Sequence, residues 1–357
     1  MTRTLIRPTA FVDAPFGHDG KVARLAGGLN WFSAVELLTI DGTRRVASEL
    51  VPVEGIETRF DDTMAADWAR LTAARPPLTM GTRTIRLDQP QVMAIVNVTP
   101  DSFSDGGRYA DAANAAEAGA QMAAHGAAIL DVGGESTRPG AKTVWEGDEI
   151  ERVLPVIRQL ASGGAAVSID TRKAAVVEAA LGAGARLVND VSALIFDERM
   201  AGVVAAAGVP VILMHHQGDP TAMQDAPQYD DALVEIYLWL EERIAAAEAA
   251  GIARANILID PGFGFGKSVA HNLELMNGLA LFHALGCPLV LGASRKRTIG
   301  ALSNEAPADQ RLGGSVAFAL KAVDQGVQII RVHDVPETVQ ALKVWRGMRD
   351  QALTPRG

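Results

Sequence analysis

The chain has 357 residues, of which 48% are hydrophobic and 21% are charged, a balance typical of a soluble globular protein with room for one barrel of about 250 residues and a smaller part. The formal charge of −9 argues against a general nucleic-acid-binding surface. The single cysteine, Cys287, excludes a disulfide framework and a thiolate metal cluster. The first residues lack the apolar core of a signal peptide, and no run of about 18 apolar residues could span a bilayer. We therefore expect a cytoplasmic protein whose partners are neither nucleic acids nor membranes.

Residues 1–80 fit no βα unit, and we expect them to form a small N-terminal α+β appendage. The Asp41–Gly42 pair, flanked by apolar stretches, predicts a hairpin of two short strands. A short helix over Met64–Ala74 and a linker at Arg75–Pro77 should follow. This part contains no catalytic constellation, so a structural or oligomerising role is expected for it.

From residue 86 to about residue 350 the chain repeats one simple pattern. Short apolar runs close on polar residues and alternate with stretches of helical spacing, such as Tyr229–Ala250. Apolar runs without alternation are typical of parallel strands buried on both faces. Parallel strands need crossover helices, and eight such units close into an α/β fold, the (β/α)8 TIM barrel. The runs end at Asn97, Asp131, Asp170, Asn189–Asp190, His215, Asp260, Ser294 and His333. Catalytic groups of this architecture lie at these strand ends.

Three of the strand ends point to a ligand. Asp170, Asn189 and Asp260 should converge on the barrel mouth from different sides. Burying two carboxylates and an amide together is unfavourable without donors to satisfy them. A planar heterocycle with several N–H groups, such as an amino-pyrimidinone, would supply those donors. The alternative is that these residues only cap helices, because Asp170 and Asp190 each precede a predicted helix.

Two long polar loops follow the first two strands. The first, after Asn97, contains Asp101 and Phe103, and the second contains Thr137 and Arg138. Long loops at this face are often lids, and the second could hold an anion. The alternative is that the first loop only caps a helix and that the arginine is a solvated surface charge.

The later strand ends carry groups suited to a phosphate and a ring. Lys296 closely follows Ser294, and Arg331 and His333 alternate at the end of the last run. TIM barrels commonly bind phosphate in this region, where an arginine can donate to two oxygens. DPGFGFGKS is not a nucleotide-binding loop, because a proline occupies the first glycine position. Its Phe265 could instead cover a ring. No zinc site is expected, whereas magnesium held by an amide and substrate oxygens would leave little trace in the sequence.

The chain resembles the dihydropteroate synthases of the folate pathway in a series of strings that occur in the same order. They read NVTPDSFSDGG, DVGGESTRPGA, SIDT, VND, LMHHQGDPTAMQ, DPGFGFGK, SRK and RVHD. The resemblance covers about Arg86–Arg346. It implies a transferase that condenses 6-hydroxymethyl-7,8-dihydropterin diphosphate with 4-aminobenzoate to 7,8-dihydropteroate and pyrophosphate, with Mg²⁺. It also implies a sulfonamide target and a homodimer formed through late barrel helices.

The resemblance assigns roles residue by residue. The residues implied for the pterin are Asp170, Asn189, Met214, Asp260, Phe265 and Lys296. Those implied for the diphosphate are Asn97, Thr137, Arg138, Arg331 and His333, with the metal ion at Asn97. Those implied for 4-aminobenzoate are Phe103, Pro139, Ser294 and Lys296. Asp101 and Asp131 are implied as supporting residues, and Asp170, Lys296, Arg331 and His333 as the catalytic set.

Two features depart from this family, and two other functions stay open. His216 stands where many members have methionine, and the appendage is absent from the minimal enzyme. The first alternative function is a methyltransferase that moves a methyl group from methyltetrahydrofolate to a corrinoid. That enzyme has no diphosphate to bind, so Arg331 and His333 would lack a purpose. The second alternative is a catalytically silent paralogue that only binds pterins.

Overall fold

A computed structural model describes residues 2–98, 107–136, 143–218 and 227–354, without the side chains of residues 107–111. The N-terminal part contains β1 (Thr2–Val12), β2 (Ala23–Arg24), β3 (Trp31–Asp41), β4 (Arg44–Pro52), α1 (Asp62–Thr72), β5 (Leu78–Met80) and β6 (Arg83–Ile85). The remaining strands are β7 (Gln91–Asn97), β8 (Ile129–Gly133), β9 (Val167–Asp170), β10 (Leu187–Asp190), β11 (Val211–Met214), β12 (Ile257–Asp260), β13 (Val290–Leu291) and β14 (Ile329–Val332). The remaining helices are α2 (Gly107–Ala124), α3 (Glu146–Ser162), α4 (Ala174–Ala183), α5 (Met200–Ala207), α6 (Ala232–Ala249), α7 (Val269–Gly278), α8 (Arg297–Leu302), α9 (Leu312–Asp324) and α10 (Val335–Ala352). Short 3-10 turns lie at Ile56–Arg59, Arg254–Asn256, Leu279–Leu285 and Ala308–Gln310.

Strands β7 to β14 form a closed parallel barrel. They make one eight-stranded sheet in the order β12-β11-β10-β9-β8-β7-β14-β13. A parallel bridge between Ile259 and Leu289 joins the two ends of this order and closes the ring. Helices alternate with the strands along the chain, as parallel connections require. The predicted (β/α)8 barrel is therefore confirmed.

The inward face of the barrel follows from the two-residue period of its strands. One apolar side chain from each barrel strand or its flank joins a separate buried cluster at the bottom of the barrel. These side chains are Met93, Ile129, Ala166, Leu187, Ile212, Leu258, Val290 and Ile329. Their neighbours in the strands, such as Leu130 and Val188, belong to the larger core that faces the helices. Positions two residues further along each strand therefore point inward, one layer nearer to the mouth.

The β5–β6 hairpin closes the bottom of the barrel. The two strands pair antiparallel with Leu78 opposite Ile85 and Met80 opposite Arg83. Leu78, Met80 and Ile85 are buried in the same cluster as the inward side chains of the barrel strands. The hairpin thus forms an apolar floor, and the carboxyl ends of the strands form the opposite, polar end.

The rest of the appendage is a small antiparallel sheet with one helix. β3 pairs with β1 along one side and with β2 and β4 along the other. The hairpin predicted at Asp41–Gly42 is present, but β3 and β4 are longer than expected, and β1 was not predicted at all. β1 contains Pro8, which is tolerated because the strand pairs only with β3 and lies at the edge of the sheet.

The appendage packs on the outside of the barrel. Its apolar side chains and those of the barrel belong to one continuous core. The Arg3 guanidinium donates to both carboxylate oxygens of Glu241 on α6, at 2.6 and 2.8 Å. Asn30 Nδ2 donates to the carbonyl oxygen of Val323 on α9 at 2.6 Å. The appendage is therefore part of the same folded body as the barrel.

Several boundaries differ from the sequence prediction. β8 continues past Asp131 to Gly133, and β11 ends before His215. β13 has only two residues and does not reach Ser294, because the chain turns at Arg295, whose φ is 58°. The predicted helices are present, with ends within about three residues of those expected. None of the described helices has the length and apolarity needed to cross a membrane.

The apolar floor gives a prediction about stability. Leu78→Ala should lower the free energy of unfolding by about 2–4 kcal/mol, because it leaves a cavity in a close-packed site. Denaturant unfolding followed by circular dichroism measures this. Thr79→Ala, an exposed position on the same strand, is the matched control and should change it by less than about 0.5 kcal/mol. Equal losses of unfolding free energy in the two variants would contradict the burial of Leu78 in this floor.

Candidate active site

The polar side chains at the mouth are inward-facing continuations of the floor positions. Asp131 lies two residues after Ile129, and Asn189 lies two residues after Leu187. Two residues after the floor positions of their strands lie Met214 on β11, Asp260 on β12 and Arg331 on β14. Four residues after the floor positions lie Asn97 on β7 and Asp170 on β9. Alternation along the strands therefore directs this whole set into the barrel.

Arg331 links the carboxylates of two neighbouring strands. Its Nε donates to Asp131 Oδ2 and its Nη2 donates to Asp170 Oδ2, both at 2.6 Å. Asn189 Nδ2 donates to the same Asp131 oxygen at 2.9 Å. Asp131 is fully buried, and its Oδ1 has no hydrogen-bond partner among the described residues. The site thus presents a buried acceptor that a ligand donor could satisfy.

Burial makes Asp170 easy to protonate. Desolvation raises the pKa of Asp170 to about 7, although Arg331 opposes the shift and Asp131 adds to it. The buried position therefore favours the protonated form of this carboxyl, and the Arg331 guanidinium favours its ionised form. A ligand that donates hydrogen bonds to this group would favour its ionised form.

Helix capping does not explain Asp170. The first backbone N–H of α4, that of Ala174, donates to Asp197 Oδ2 at 2.8 Å instead. Asp190 does hold a local turn, because it accepts from the backbone N–H groups of Ser192 and Leu194, both at 2.8 Å. Neither aspartate caps a helix, because the turn held by Asp190 lies well before α5, which begins at Met200, and Asp170 is left for the site.

The opposite wall of the mouth consists of Lys296 and the turn after β12. Lys296 Nζ donates to the carbonyl oxygen of Phe263 and lies 4.2 Å from the centre of the Phe265 ring. Asp260 Oδ1 accepts from the N–H of Gly262 at 2.7 Å. Burial lowers the pKa of Lys296 to about 7 and raises that of Asp260, and each charge opposes the shift of the other. A cation, a carboxylate and an aromatic ring therefore lie side by side.

The last two strands bring Ser294 and His333 together. Ser294 Oγ lies 3.0 Å from His333 Nδ1, and the His333 backbone N–H donates to the same Oγ at 3.2 Å. The neighbouring Arg295 instead pairs with Asp334, its Nε donating to Oδ2 at 3.0 Å. The hydroxyl and the imidazole thus remain candidates for the site, and this arginine has a structural partner.

Five predicted site residues cannot be placed. Asp101, Phe103, Thr137, Arg138 and Pro139 lie outside the described residues. Their roles stay predictions. Asn97 is described and half-buried at the end of β7, and Met214 is buried on β11.

Sequence reasoning missed a buried ion network beside the second long loop. Lys173 Nζ donates to Glu135 and, at 2.6 Å, to Glu149 Oε2. Arg172 Nη2 also donates to Glu135, at 3.2 Å. Glu135 lies two residues after the end of β8, and Lys173 lies three residues after the end of β9. This closeness to strand ends was the only signal in the sequence.

Sequence reasoning also missed the contacts of the two adjacent histidines. Side chains of adjacent residues in an extended chain point to opposite faces, but the rings of His215 and His216 both pack against Trp239 on α6, with centroids 4.9 and 6.0 Å away. The strand ends at Met214, so the alternation of an extended chain no longer applies to them. His215 Nδ1 lies 2.9 Å from Lys267 Nζ.

The chain is similar to known proteins of one family. The model of the pterin binding enzyme family matches residues 93–333 of the chain. The dihydropteroate synthase of Escherichia coli K12 is 47% identical over 262 residues, which cover 73% of this chain and 92% of that protein. Solved structures of dihydropteroate synthases are also similar. The Xanthomonas albilineans enzyme with 4-aminobenzoic acid has a TM-score of 0.74 and 48% identity, covering 79% of this chain and 100% of its own. The Yersinia pestis enzyme in complex with a sulfonamide drug has a TM-score of 0.73 and 46% identity, covering 77% and 99%.

The raised pKa of Asp170 gives a prediction about stability and pH. The folded state holds a proton on Asp170 up to about pH 7, whereas the unfolded chain releases it near pH 4. This contribution is present at low pH and is lost as the pH rises from about 4 to about 7. Because asparagine does not titrate, the stability of Asp170→Asn relative to the native chain should rise by at least about 1 kcal/mol between pH 4.5 and 8.

Urea unfolding at the two pH values measures this difference. Asp19→Asn, which changes an exposed aspartate of the appendage, is the control and should keep the native dependence of stability on pH. A profile of Asp170→Asn parallel to the native one would show that burial does not shift this carboxyl.

Proposed function

The chain belongs to the family of pterin-binding enzymes, and we propose that its barrel mouth condenses 6-hydroxymethyl-7,8-dihydropterin diphosphate with 4-aminobenzoate. The products are 7,8-dihydropteroate and pyrophosphate, which makes the chain a dihydropteroate synthase, a transferase of folate biosynthesis. The observation that carries this proposal is the inward set of buried acceptors around Asp131, Asp170 and Asp260, with Lys296 and Phe265 beside it. The match to dihydropteroate synthases over almost their whole length supports it.

The pterin ring is complementary to this set of side chains. Its ring N–H and amino groups donate to the carboxylates and the amide, and its carbonyl oxygen accepts from Lys296. Met214 and Phe265 offer apolar surface to the faces of the ring. The residues proposed for the pterin are Asp131, Asp170, Asn189, Met214, Asp260, Phe265 and Lys296.

The reaction exchanges one bond at the pterin methylene carbon. The bond from this carbon to the diphosphate oxygen breaks, and its electron pair leaves with the diphosphate. The amine nitrogen of 4-aminobenzoate forms the new bond to the same carbon and loses a proton. Positive charge grows on the pterin as the C–O bond breaks, and Asp170 and Asp260 stabilise it because they are fixed at the ring. An arylamine is already nucleophilic near neutral pH, so no strong general base is required.

The diphosphate and 4-aminobenzoate occupy the outer part of the mouth in this proposal. Residues proposed for the diphosphate are Asn97, Thr137, Arg138, Arg331 and His333. Residues proposed for 4-aminobenzoate are Phe103, Pro139, Ser294 and Lys296. The contact between Ser294 and His333 supports a shared position for the two substrates, since it brings one group from each set to the same place.

Magnesium fits the described part of the mouth as a substrate-bound ion. The described residues contain no cluster of three or more His, Cys, Asp and Glu that could hold a metal ion by itself. Asn97 offers an amide oxygen, and magnesium favours oxygen ligands and is often held by one or two protein groups together with phosphate oxygens. When bound, the ion would neutralise charge on the leaving diphosphate.

A homodimer in the cytoplasm completes the proposal. Val344 and Met348, one turn apart on α10, are 60% and 62% exposed. Two large apolar side chains on one helix face support an interface with a second copy. The cytoplasmic location predicted from the sequence remains a proposal.

The decisive experiment measures pyrophosphate release by the purified chain with the dihydropterin diphosphate, Mg²⁺ and 4-aminobenzoate. Release should require 4-aminobenzoate and should be inhibited by a sulfonamide. Lys296→Ala and Asp170→Asn should each lower turnover at least about 100-fold, because each removes a group in contact with the pterin.

Lys343→Ala, which changes an exposed lysine on α10, is the control and should keep native turnover. Near-native turnover in both site variants would contradict the pterin assignment. No release by the native chain, with pterin binding still detected by calorimetry, would favour a methyltransferase or a silent paralogue.

The proposed metal ligand gives a separate prediction. Chelation with EDTA should abolish turnover, and added Mg²⁺ should restore it. Asn97→Ala should raise the Mg²⁺ concentration for half-maximal turnover about tenfold, a loss comparable to one oxygen ligand. Asn277→Ala, exposed on α7, should have no effect. Full turnover in EDTA would refute the requirement for a metal ion.

A further inference from the structure

The turn between β12 and α7 contains a buried amino group that the mechanism above does not use. Lys267 is only 3% exposed, and the mechanism above gives its amino group no contact with a substrate. Its Nζ lies 2.9 Å from the carbonyl oxygen of Gly262, 3.0 Å from that of Phe265 and 2.9 Å from His215 Nδ1. A buried lysine with three such partners is unusual enough to need an explanation.

The backbone of the turn wraps around this amino group. Gly262, Gly264 and Gly266 have φ values of 71°, 82° and 62°, which favour glycine. A Cβ on Gly262 would collide with the carbonyl oxygen of His215 and would lie 3.4 Å from Lys267 Nζ. The left-handed residues thus let the chain curl tightly enough for two carbonyl oxygens to meet one side chain.

The inner side of the same turn forms the wall against Lys296. The carbonyl oxygen of Phe263 accepts from Lys296 Nζ, and the Phe265 ring lies 4.2 Å from it. A Cβ on Gly264 would lie 2.9 Å from Lys296 Cδ. The position of Lys296 therefore depends on the shape of the turn. The amino group of Lys267 contacts the same turn through the carbonyl oxygens of Gly262 and Phe265.

The contacts of Lys267 do not depend on its charge. Burial lowers the pKa of Lys267 well below its ordinary value, and burial also lowers that of His215. An ammonium would donate to all three acceptors. A neutral amine would donate to the two carbonyl oxygens and accept from the Nδ1–H of His215. Both forms hold the turn to the end of β11.

We propose that Lys267 is a positioning residue for the condensation: by joining the turn at 262–266 to His215, it places the Phe263 carbonyl oxygen and the Phe265 ring against Lys296. This inference rests on the proposed function, in which Lys296 and Phe265 contact the pterin. Lys267 acts only through them.

Lys267→Met tests the proposal, because methionine fills similar space without an amino group. The variant should fold, and its KM for the dihydropterin diphosphate should rise about tenfold, with kcat falling less than about threefold. This pattern is expected when contacts made equally in the ground state and the transition state are lost. Pterin binding followed by calorimetry without 4-aminobenzoate should weaken by the same factor.

Tyr229→Phe is the matched control for a general loosening of the turn. Tyr229 Oη donates to the carbonyl oxygen of Gly266 at 2.8 Å, on the same turn but at an oxygen that does not accept from Lys267. This variant should keep the native KM within about twofold. His215→Leu should raise the KM, and His215→Asn, which keeps an acceptor near the position of Nδ1, should restore it in part.

All kinetic constants should be measured well below the unfolding temperature of each variant. A role in stability alone would lower that temperature and leave the pterin KM native, and this result would overturn the proposal. If Lys267→Met does not fold, the two His215 variants test the proposal. Equal KM values of His215→Leu and His215→Asn for the dihydropterin diphosphate would then overturn it. Absence of turnover in the native chain would instead refute the proposed function.

Discussion

The pairing of Arg331 with Asp131 and Asp170 is the interaction on which the rest of the barrel mouth depends. Two carboxylates on neighbouring strands point into a confined space, and the guanidinium between them offsets the cost of burying them. The guanidinium reaches both because its planar fork has donors in two directions. Asn189 donates to the same Asp131 oxygen as Arg331, so only one of the two carboxylate oxygens has donors. The remaining oxygen is left as an acceptor for a ligand, so one ion pair both permits the buried charges and defines where the ring can bind.

The apolar floor and the polar mouth follow from a single rule of strand geometry. Because side chains alternate, the inward face of each strand carries an apolar residue near the bottom and, two or four residues later, a residue of the site. The β5–β6 hairpin seals the bottom with Leu78, Met80 and Ile85, which keeps water away from the underside of the site. Helices and the appendage cover the outward face, so the strands are held from both sides. The chemistry is therefore positioned by packing that extends well beyond the residues that contact substrates.

The barrel could be predicted from the sequence because its strands are short apolar runs with polar ends. The site residues could be predicted because those polar ends meet at one end of the barrel. The limits of the prediction have physical causes. β1 was missed because Pro8 argues against a strand unless the strand lies at an edge, which the sequence does not reveal. β13 was predicted too long because the turn at Arg295 has no glycine to mark it. The partners of Lys267 and Lys173 were not predictable, since a contact between residues from different βα units depends on the distance between strands and not on spacing along the chain.

The charges of the described mouth bear on how the diphosphate is held. Arg331 is already paired with Asp131 and Asp170, and Lys296 lies beside Asp260. These charges compensate one another, so Arg331, although proposed for the diphosphate, brings little net positive charge to it. A diphosphate bound at this mouth therefore needs positive charge from beyond these pairs. In the proposed function, the Mg²⁺ ion assigned to Asn97 and the guanidinium of Arg138 are the groups that would supply this charge to the leaving diphosphate.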